Sequence, residues 1–210
     1  MCYLFGAGIR EGEDKEEAAK WLRKAAEQGH EGAIELLKTI TVIDAVHQTA
    51  EQGNAEAQWY LGMSYLFGDG VPQNHTEAIR WLRKAAEQGH AVAQYELGVC
   101  YRRGENIPRD DAEAFKWMRR SAEQGYTPAQ INLGIYYLRG IGVPADAEEA
   151  VKLFRKAAEQ GNERAQCLLG ECYLKGEGVP QDKEEAVKWL RLSAAQGYEP
   201  AINALRELEE

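Results

Sequence analysis

The 210 residues contain no run of about 18 apolar side chains, so there is no candidate transmembrane helix. The first residues, MCYLFGAGIREGEDK, lack both a basic leader region and an adequate apolar stretch, so no signal peptide is visible. Cationic charge is in deficit: 25 Lys and Arg stand against 34 Asp and Glu, a net charge of −9. Nucleic acid and anionic membrane surfaces both require a basic face, and neither is expected as a partner. Signatures of catalysis are missing as well. There is no S-x-x-K, G-x-S-x-G, P-loop or H-E-x-x-H pattern, so no enzyme and no cofactor are expected. His and Cys do not cluster at ligand spacings, so no metal is expected either. The sequence holds four cysteines. Cys2, Cys100 and Cys172 share one repeat position, and Cys167 lies on another face of the helix that carries Cys172. Small buried thiols of this kind suit a reducing compartment, and the protein is expected to be cytoplasmic. A periplasmic or secreted location is the alternative if a leader has been removed.

What the chain does have is a period. The stretch from 56 to 89 returns at 92–125, 128–161 and 164–197, and each copy closes on A-A/S-E-Q-G or its variant S-A-A-Q-G. The closing glycines Gly53, Gly89, Gly125, Gly161 and Gly197 are 36 residues apart. A fixed period of this length is the mark of a repeat array.

Each copy reads as two helices. Asn74, Asp110, Asp146 and Asp182 stand fifteen residues before a closing glycine, with Glu77, Glu113, Glu149 and Glu185 three residues on. Asp14 and Glu17 repeat the arrangement. This is a capping-box pattern, which predicts that the first side chain takes an orphan N–H and the glutamate reaches back. The closing glycine ends this helix B. Helix A runs from about residue 56 to 66 and its equivalents and stops at Gly68, Gly104, Gly140 or Gly176. Gly70, Gly142 and Gly178, with Asn106 in the third copy, predict a left-handed turn. The prolines that follow (Pro72, Pro108, Pro144, Pro180) forbid continuation of the helix.

The combined pattern, A-x-A-Q-x-x-L-G-x-x-Y-x-x-G-x-G-V-P-x-D-x-x-x-A-x-x-W-x-x-K-A-A-E-Q-G, resembles the Sel-one-like repeat, a relative of the tetratricopeptide repeat. The resemblance spans almost the whole chain. It implies an all-α fold, a right-handed α/α superhelix of antiparallel helix pairs, with helix A on the concave wall and a role in holding other proteins together. Secreted cysteine-rich members carry a regularly spaced disulfide pair in every repeat, and that pattern is absent here.

In chain order, residues 1–29 form an incomplete repeat, with 1–5 as the end of a helix A, Gly6 and Gly8 as the turn, and 14–27 as helix B. A chain beginning inside a helix leaves one flank of its first hairpin uncovered, which favours a piece of something longer over a covering surface. Residues 30–53 form a shortened repeat, since 24 residues rather than 36 separate Gly29 from Gly53. The missing part is the Gly-Pro turn with its N-cap. This segment is either one helix of roughly 18 residues or a tight corner at the β-branched run 39–43, where helix propensity is modest. The superhelix is expected to change direction there. Residues 54–197 hold four regular repeats, and 198–210 a polar-ended capping helix. Repeats of this kind are expected to stack into one elongated domain.

The common core is Ala57, Leu61 and Tyr65 in helix A, and Ala78, Trp81, Ala85 and Ala86 in helix B, with their equivalents. Trp21, Trp117 and Trp189 share the position of Trp81 and are expected in the core. Gly62, Gly98, Gly134 and Gly170 lie inside helix A, where glycine costs about 1 kcal/mol relative to alanine. Their recurrence predicts a neighbouring helix too close for a Cβ. His30 and His90 follow closing glycines and read as loop residues, whereas His47 and His75 have no partner in the sequence.

The positions that vary while this frame recurs are the candidates for binding. On a helical wheel Glu56, Tyr60 and Phe67 lie opposite the core arc. Their equivalents are Val92, Glu96 and Arg103; Pro128, Asn132 and Arg139; Arg164, Leu168 and Lys175. The candidate partner-binding residues are Tyr60, Phe67, Glu96, Arg103, Asn132, Arg139, Leu168 and Lys175. The last column runs Phe67, Arg103, Arg139, Lys175: a strip of three cations leading to an aromatic end. Such cations are either ordinary occupants of a helix C-terminus, favoured by its dipole, or ligands for an acidic or C-terminal carboxylate group of a protein or peptide partner. The expected function is a non-catalytic scaffold or adaptor that binds a partner segment along the concave groove. The alternatives are a structural spacer within a larger protein, and a penicillin-binding type of enzyme such as has been proposed for some secreted relatives. The missing serine–lysine motif counts against the latter.

Overall fold

The structure, a computed structural model, describes residues 13–104 and 107–209. The expectations for residues 1–5, Gly6, Gly8, Cys2 and Asn106 therefore fall outside the described residues, as do the side chains of Asp14 and Glu17. Among the described residues there are eleven helices and no strand. They are α1 (Glu13–Glu27), α2 (Glu31–Glu51), α3 (Ala55–Phe67), α4 (His75–Glu87), α5 (Ala91–Arg103), α6 (Asp111–Glu123), α7 (Thr127–Arg139), α8 (Ala147–Glu159), α9 (Glu163–Lys175), α10 (Lys183–Ala195) and α11 (Glu199–Glu209). This is the all-α fold of paired helices that the repeat predicts. The chain divides into two compact units, Met1–Gln88 and Gly89–Glu210.

In the first unit α1 packs on α2, α2 on α3, and α3 on α4. The shortened segment is one continuous helix of 21 residues, α2. Its β-branched run does not break it, and the threonine hydroxyls find partners inside the helix. The hydroxyl of Thr39 donates to Glu35 O at 3.1 Å and that of Thr41 to Leu37 O at 2.8 Å. Such bonds to the preceding turn satisfy the polar group without leaving the helix. Ile43 is buried and receives the α3–α4 turn, where a Cβ on Gly70 would come within 2.7 Å of Ile43 Cγ1.

In the second unit α5–α6, α7–α8 and α9–α10 are hairpins, each helix packs on the next in sequence, and α11 closes on α10. The interior glycines of helix A meet the prediction. A Cβ on Gly134 would stand 2.5 Å from Phe154 Cε1, and one on Gly170 would stand 2.8 Å from Leu190 Cγ. The turn between the helices is left-handed as expected, with φ of 65° at Gly140 and 67° at Gly142. Gly142 is needed for a second reason, since a Cβ there would run into the carbonyl of Asp111.

The N-caps of helix B are formed as predicted, but only half of the capping box is. Asn74, Asp110, Asp146 and Asp182 each accept the backbone N–H of the glutamate three residues on. The glutamates do not complete the exchange. The N-cap N–H groups already donate to a tyrosine carbonyl of helix A (Tyr65, Tyr101, Tyr137 and Tyr173, at 2.9 to 3.0 Å). The glutamates pair instead with the cation one turn on: Glu77 with Arg80, Glu113 with Lys116, Glu149 with Lys152 and Glu185 with Lys188.

A second regularity joins the two helices of each regular repeat. Gln58, Gln94, Gln130 and Gln166 are buried. Each side-chain oxygen accepts from the glutamine thirty residues on, Gln88, Gln124, Gln160 or Gln196, at 2.6 to 2.9 Å. The amide nitrogens of Gln58, Gln130 and Gln166 donate to the carbonyls of Ala50, Ala122 and Ala158, at the end of the preceding helix.

The tryptophan expectation holds in part. Trp81 is 1% exposed and Trp117 is buried, while Trp189 is half-buried. Trp21 is 63% exposed, a correction to its expected place in the core. Of its repeat, the residues corresponding to the partner helix A are 1–5. Among the described residues its ring is met by Lys24 Nζ at 5.5 Å. Two substitutions should separate these rings. Trp81→Ala is expected to cost about 3–5 kcal/mol, as for a large aromatic removed from a core, and Trp21→Ala under about 0.5 kcal/mol, as for an exposed side chain, both read by urea denaturation.

Candidate binding face on the first helix of each repeat

Helix A is amphipathic in an unusual sense, because its inward side is consumed by recurring residues and its other side by varying ones. In α5, Ala93, Gln94, Leu97, Gly98 and Cys100 are buried; in α9, the same positions are buried as Ala165, Gln166, Leu169, Gly170 and Cys172. Cys167 and Cys172 are free thiols, pushed up to about 12 and about 11 by burial. Among the described residues no group of His, Cys, Asp and Glu could hold a metal ion. No helix among them is long and apolar enough to cross a membrane.

Each expected site residue has a definite place. In the first unit Tyr60 is 41% exposed and Phe67, the last residue of α3, is 70% exposed. In the second unit Arg103, Arg139 and Lys175 end α5, α7 and α9 respectively, and all three are exposed. Lys175 Nζ meets Glu171 of its own helix at 3.4 Å, an exposed pair of small energetic weight. Glu96, Asn132 and Leu168 are half-buried at one equivalent position of α5, α7 and α9.

The structure brings Glu96 and Asn132 into one cluster, together with two tyrosines that the sequence did not single out. The Asn132 amide donates to the Tyr95 hydroxyl at 3.2 Å, joining α7 to α5. The Tyr95 ring meets Tyr126 edge-on, with centroids 5.3 Å apart and planes at 70°. Burial raises the carboxyl of Glu96 above its ordinary value, with Arg103 acting in the opposite direction. Burial first and Glu96 second raise the Tyr95 phenol, while the Asn132 bond and the charges of Arg164 and Arg103 lower it. Burial and the charge of Glu96 raise Tyr126 in the same way. The signal for Tyr126 was present in the sequence. It occupies the N-cap position held by Asn54, His90 and Asn162 in the other copies. Those three accept the N–H three residues on, whereas Tyr126 makes no side-chain cap bond. His90 is thus a cap rather than a passive loop residue. His47, unplaced by the sequence, meets Glu51 at 3.4 Å and stands edge-on to Trp81.

Two clefts lie elsewhere. One of about 470 Å³ against α8 is lined by Glu148, Lys152, Arg155 and Glu159 among others, and one of about 280 Å³ against α2 includes Tyr60.

Residues 1–30, 55–90, 91–126, 127–162 and 163–198 match the Sel1 repeat. The chain belongs to the Sel1 repeat family. Its repeats are typically protein-interaction scaffolds, generally non-catalytic. Among solved structures, the Sel1 chain resembles a protective antigen of uropathogenic Escherichia coli strains with an SLR fold, at 42% identity and a TM-score of 0.76. That match covers 78% of this chain and 35% of the antigen, so the chain spans about a third of that relative's length. A Sel1 repeat protein from Oxalobacter formigenes is 37% identical with a TM-score of 0.73, covering 81% of this chain and 68% of that one. An immunity protein from Pseudomonas aeruginosa shares the fold at 19% identity and a TM-score of 0.50, over 94% of this chain and 78% of that one. Among curated proteins no sequence matches.

The desolvated Glu96 carboxylate should leave a trace in stability. Its folded pKa lies above the unfolded one, so the group favours folding most when protonated, and that contribution is lost as pH rises through the folded value. Glu96→Gln is therefore expected to be more stable than the parent at pH 7, with the gap closing as pH falls below the ordinary carboxylate range. Thermal unfolding of both proteins across pH 3–7 checks this.

Proposed function

We propose that the protein is a non-catalytic adaptor that binds a segment of a partner protein along the helix-A face of its second unit. Arg103, Arg139 and Lys175 there receive an acidic side chain or a C-terminal carboxylate, and Glu96, Asn132 and Leu168 line the path. In the first unit the exposed Tyr60 and Phe67 offer an apolar contact in the same register of helix A.

One observation carries this reading: the side chains that recur are consumed by packing, and those left exposed on helix A are the ones that change from copy to copy. Alanines, glycines, glutamines and leucines at the recurring positions are buried in each regular repeat. A solvated face serving only as a spacer has no reason to place arginine or lysine at the end of α5, α7 and α9 alike beyond the helix dipole, which contributes about 0.3–1 kcal/mol each. A guanidinium also holds a carboxylate bidentately, which gives geometric selection beyond charge.

The test is a random peptide pool with free C-termini, selected on the wild type and on the triple variant Arg103→Ala, Arg139→Ala, Lys175→Ala. Enrichment of acidic or carboxylate-ended peptides on the wild type is expected, with affinity lower by tenfold or more in the variant. Salt should weaken wild-type binding, since exposed charges are screened beyond about 10 Å at 0.1 M. The variant should keep its melting transition, because exposed substitutions cost under about 0.5 kcal/mol. Equal selection on both proteins at low and high salt would reduce the three cations to solvated helix ends.

A further inference from the structure

We infer that Glu96, Tyr95 and Tyr126 form a subsite for one basic side chain, lysine or arginine, of the bound segment. This rests on the binding reading above and adds a second sign of charge to it.

The cluster gives up a helix cap. Position 126 begins α7, and the residues in its place at three other helices are side-chain caps. Tyr126 makes no side-chain cap bond, so the helix gives up the stabilisation that a capping side chain contributes. The ring that stands there is set edge-on to Tyr95, 5.3 Å between centroids, and both rings rest on the core of the second unit beside Met118 and Leu133. Tyr95 is held from the other side by the Asn132 amide, at 3.2 Å. Two half-buried aromatic rings are thereby fixed against each other before any ligand arrives.

Glu96 is the third member. The equivalent residues are Tyr60, Asn132 and Leu168, so an acid stands at this position in one copy only. It is half-buried, and among the described residues no hydrogen bond or ion pair engages it. Its charge reaches both phenols. The carboxylate has lost part of its hydration, and the opposing charge of Arg103 does not make up for it; an incoming cation offsets the remainder while also meeting the aromatic rings. Lysine and arginine provide both contacts through an apolar stem and a charged head.

The charged groups around the subsite set the rest of the motif. Arg103 follows Glu96 by seven residues on the same face of α5, roughly 10 Å along the axis at 1.5 Å per residue. Arg164, at the start of α9, also acts on Tyr95. These cations repel a second basic residue and attract an acid. An extended segment advances about 3.3 Å per residue, so a base on Glu96 and an acid on Arg103 stand three positions apart. The partner segment is therefore bipolar, with Lys or Arg three residues from an acidic side chain or a terminal carboxylate.

Selection from the same free-C-terminus peptide pool, on the wild type, Glu96→Gln and Glu96→Lys, tests this. On the wild type, Lys or Arg should be enriched three positions from the acid, and replacing that lysine by norleucine in a synthetic peptide should weaken binding about tenfold. On Glu96→Gln the acid preference should persist while lysine and norleucine peptides bind alike, and on Glu96→Lys the same position should turn acidic. A mere structural role for Glu96 would not redirect selection at a single peptide position. Acid enrichment without the base, or a lysine preference unchanged in Glu96→Gln, overturns the subsite and leaves the adaptor reading standing. Base enrichment without an acid preference strikes the adaptor's carboxylate contact alone, and a pool with no enriched sequence overturns both.

Discussion

A buried amide joins the two helices of each regular repeat and, at Gln58, Gln130 and Gln166, reaches the helix before it. Gln58, Gln130 and Gln166 each accept from the glutamine that ends helix B of their own repeat and donate to the carbonyl that ends the preceding helix. A primary amide taken from water without partners is costly, so a buried glutamine demands a fixed geometry around it. Helix A must lie where its amide nitrogen meets the carbonyl that ends the preceding helix, and helix B must end where its own glutamine can donate to the amide oxygen. The interior glycine of helix A follows from this, because the helix is drawn down until Phe154, Leu82 or Leu190 touches its backbone.

Local features of the fold were legible in the sequence because they are written in residues with one conformational use. The Gly-x-Gly turn, its proline and the aspartate N-cap each have a stereochemical meaning independent of context. The interior glycines were legible for the same reason, since a recurring helical cost implies a recurring close approach. What depended on a partner was harder to read. The glutamates of the capping patterns turn to Arg80, Lys116, Lys152 and Lys188, because a tyrosine carbonyl of another helix has already taken the N–H they were expected to reach. Gln58 and its equivalents were visible in the motif, yet a glutamine in a helix is ordinary until its burial is known. The segment 30–53 was ambiguous because its β-branched run has modest helix propensity, and the burial of Ile43 is a tertiary fact that the sequence does not report.

The candidate site was legible as a set of positions and not as a cluster. A helical wheel separates the varying side of helix A from the recurring one, and Glu96 and Asn132 fall on it. The pairing of Tyr95 with Asn132 crosses from one repeat to the next, and no single-helix pattern reports it. Tyr126 carried a weak signal, a bulky ring in a capping position, whose meaning appears only beside Tyr95. Recurring residues thus supply the packing, and the contact we propose falls to varying residues. That division allows the two to change separately in a repeat array, where each unit interacts with its neighbours alone.

Two residues of α7 put that division to the most direct test. Gln130 belongs to the recurring frame and Asn132, two positions on, to the varying face. In equilibrium urea unfolding, Gln130→Ala is expected to lose about 1–3 kcal/mol, because the truncation removes a buried amide together with its two hydrogen bonds, to Gln160 and to the Ala122 carbonyl. Asn132→Ala, which gives up one part-buried bond to a hydroxyl, is expected to lose under about 1 kcal/mol. A cost at Asn132 equal to or greater than that at Gln130 would contradict the separation of frame from face.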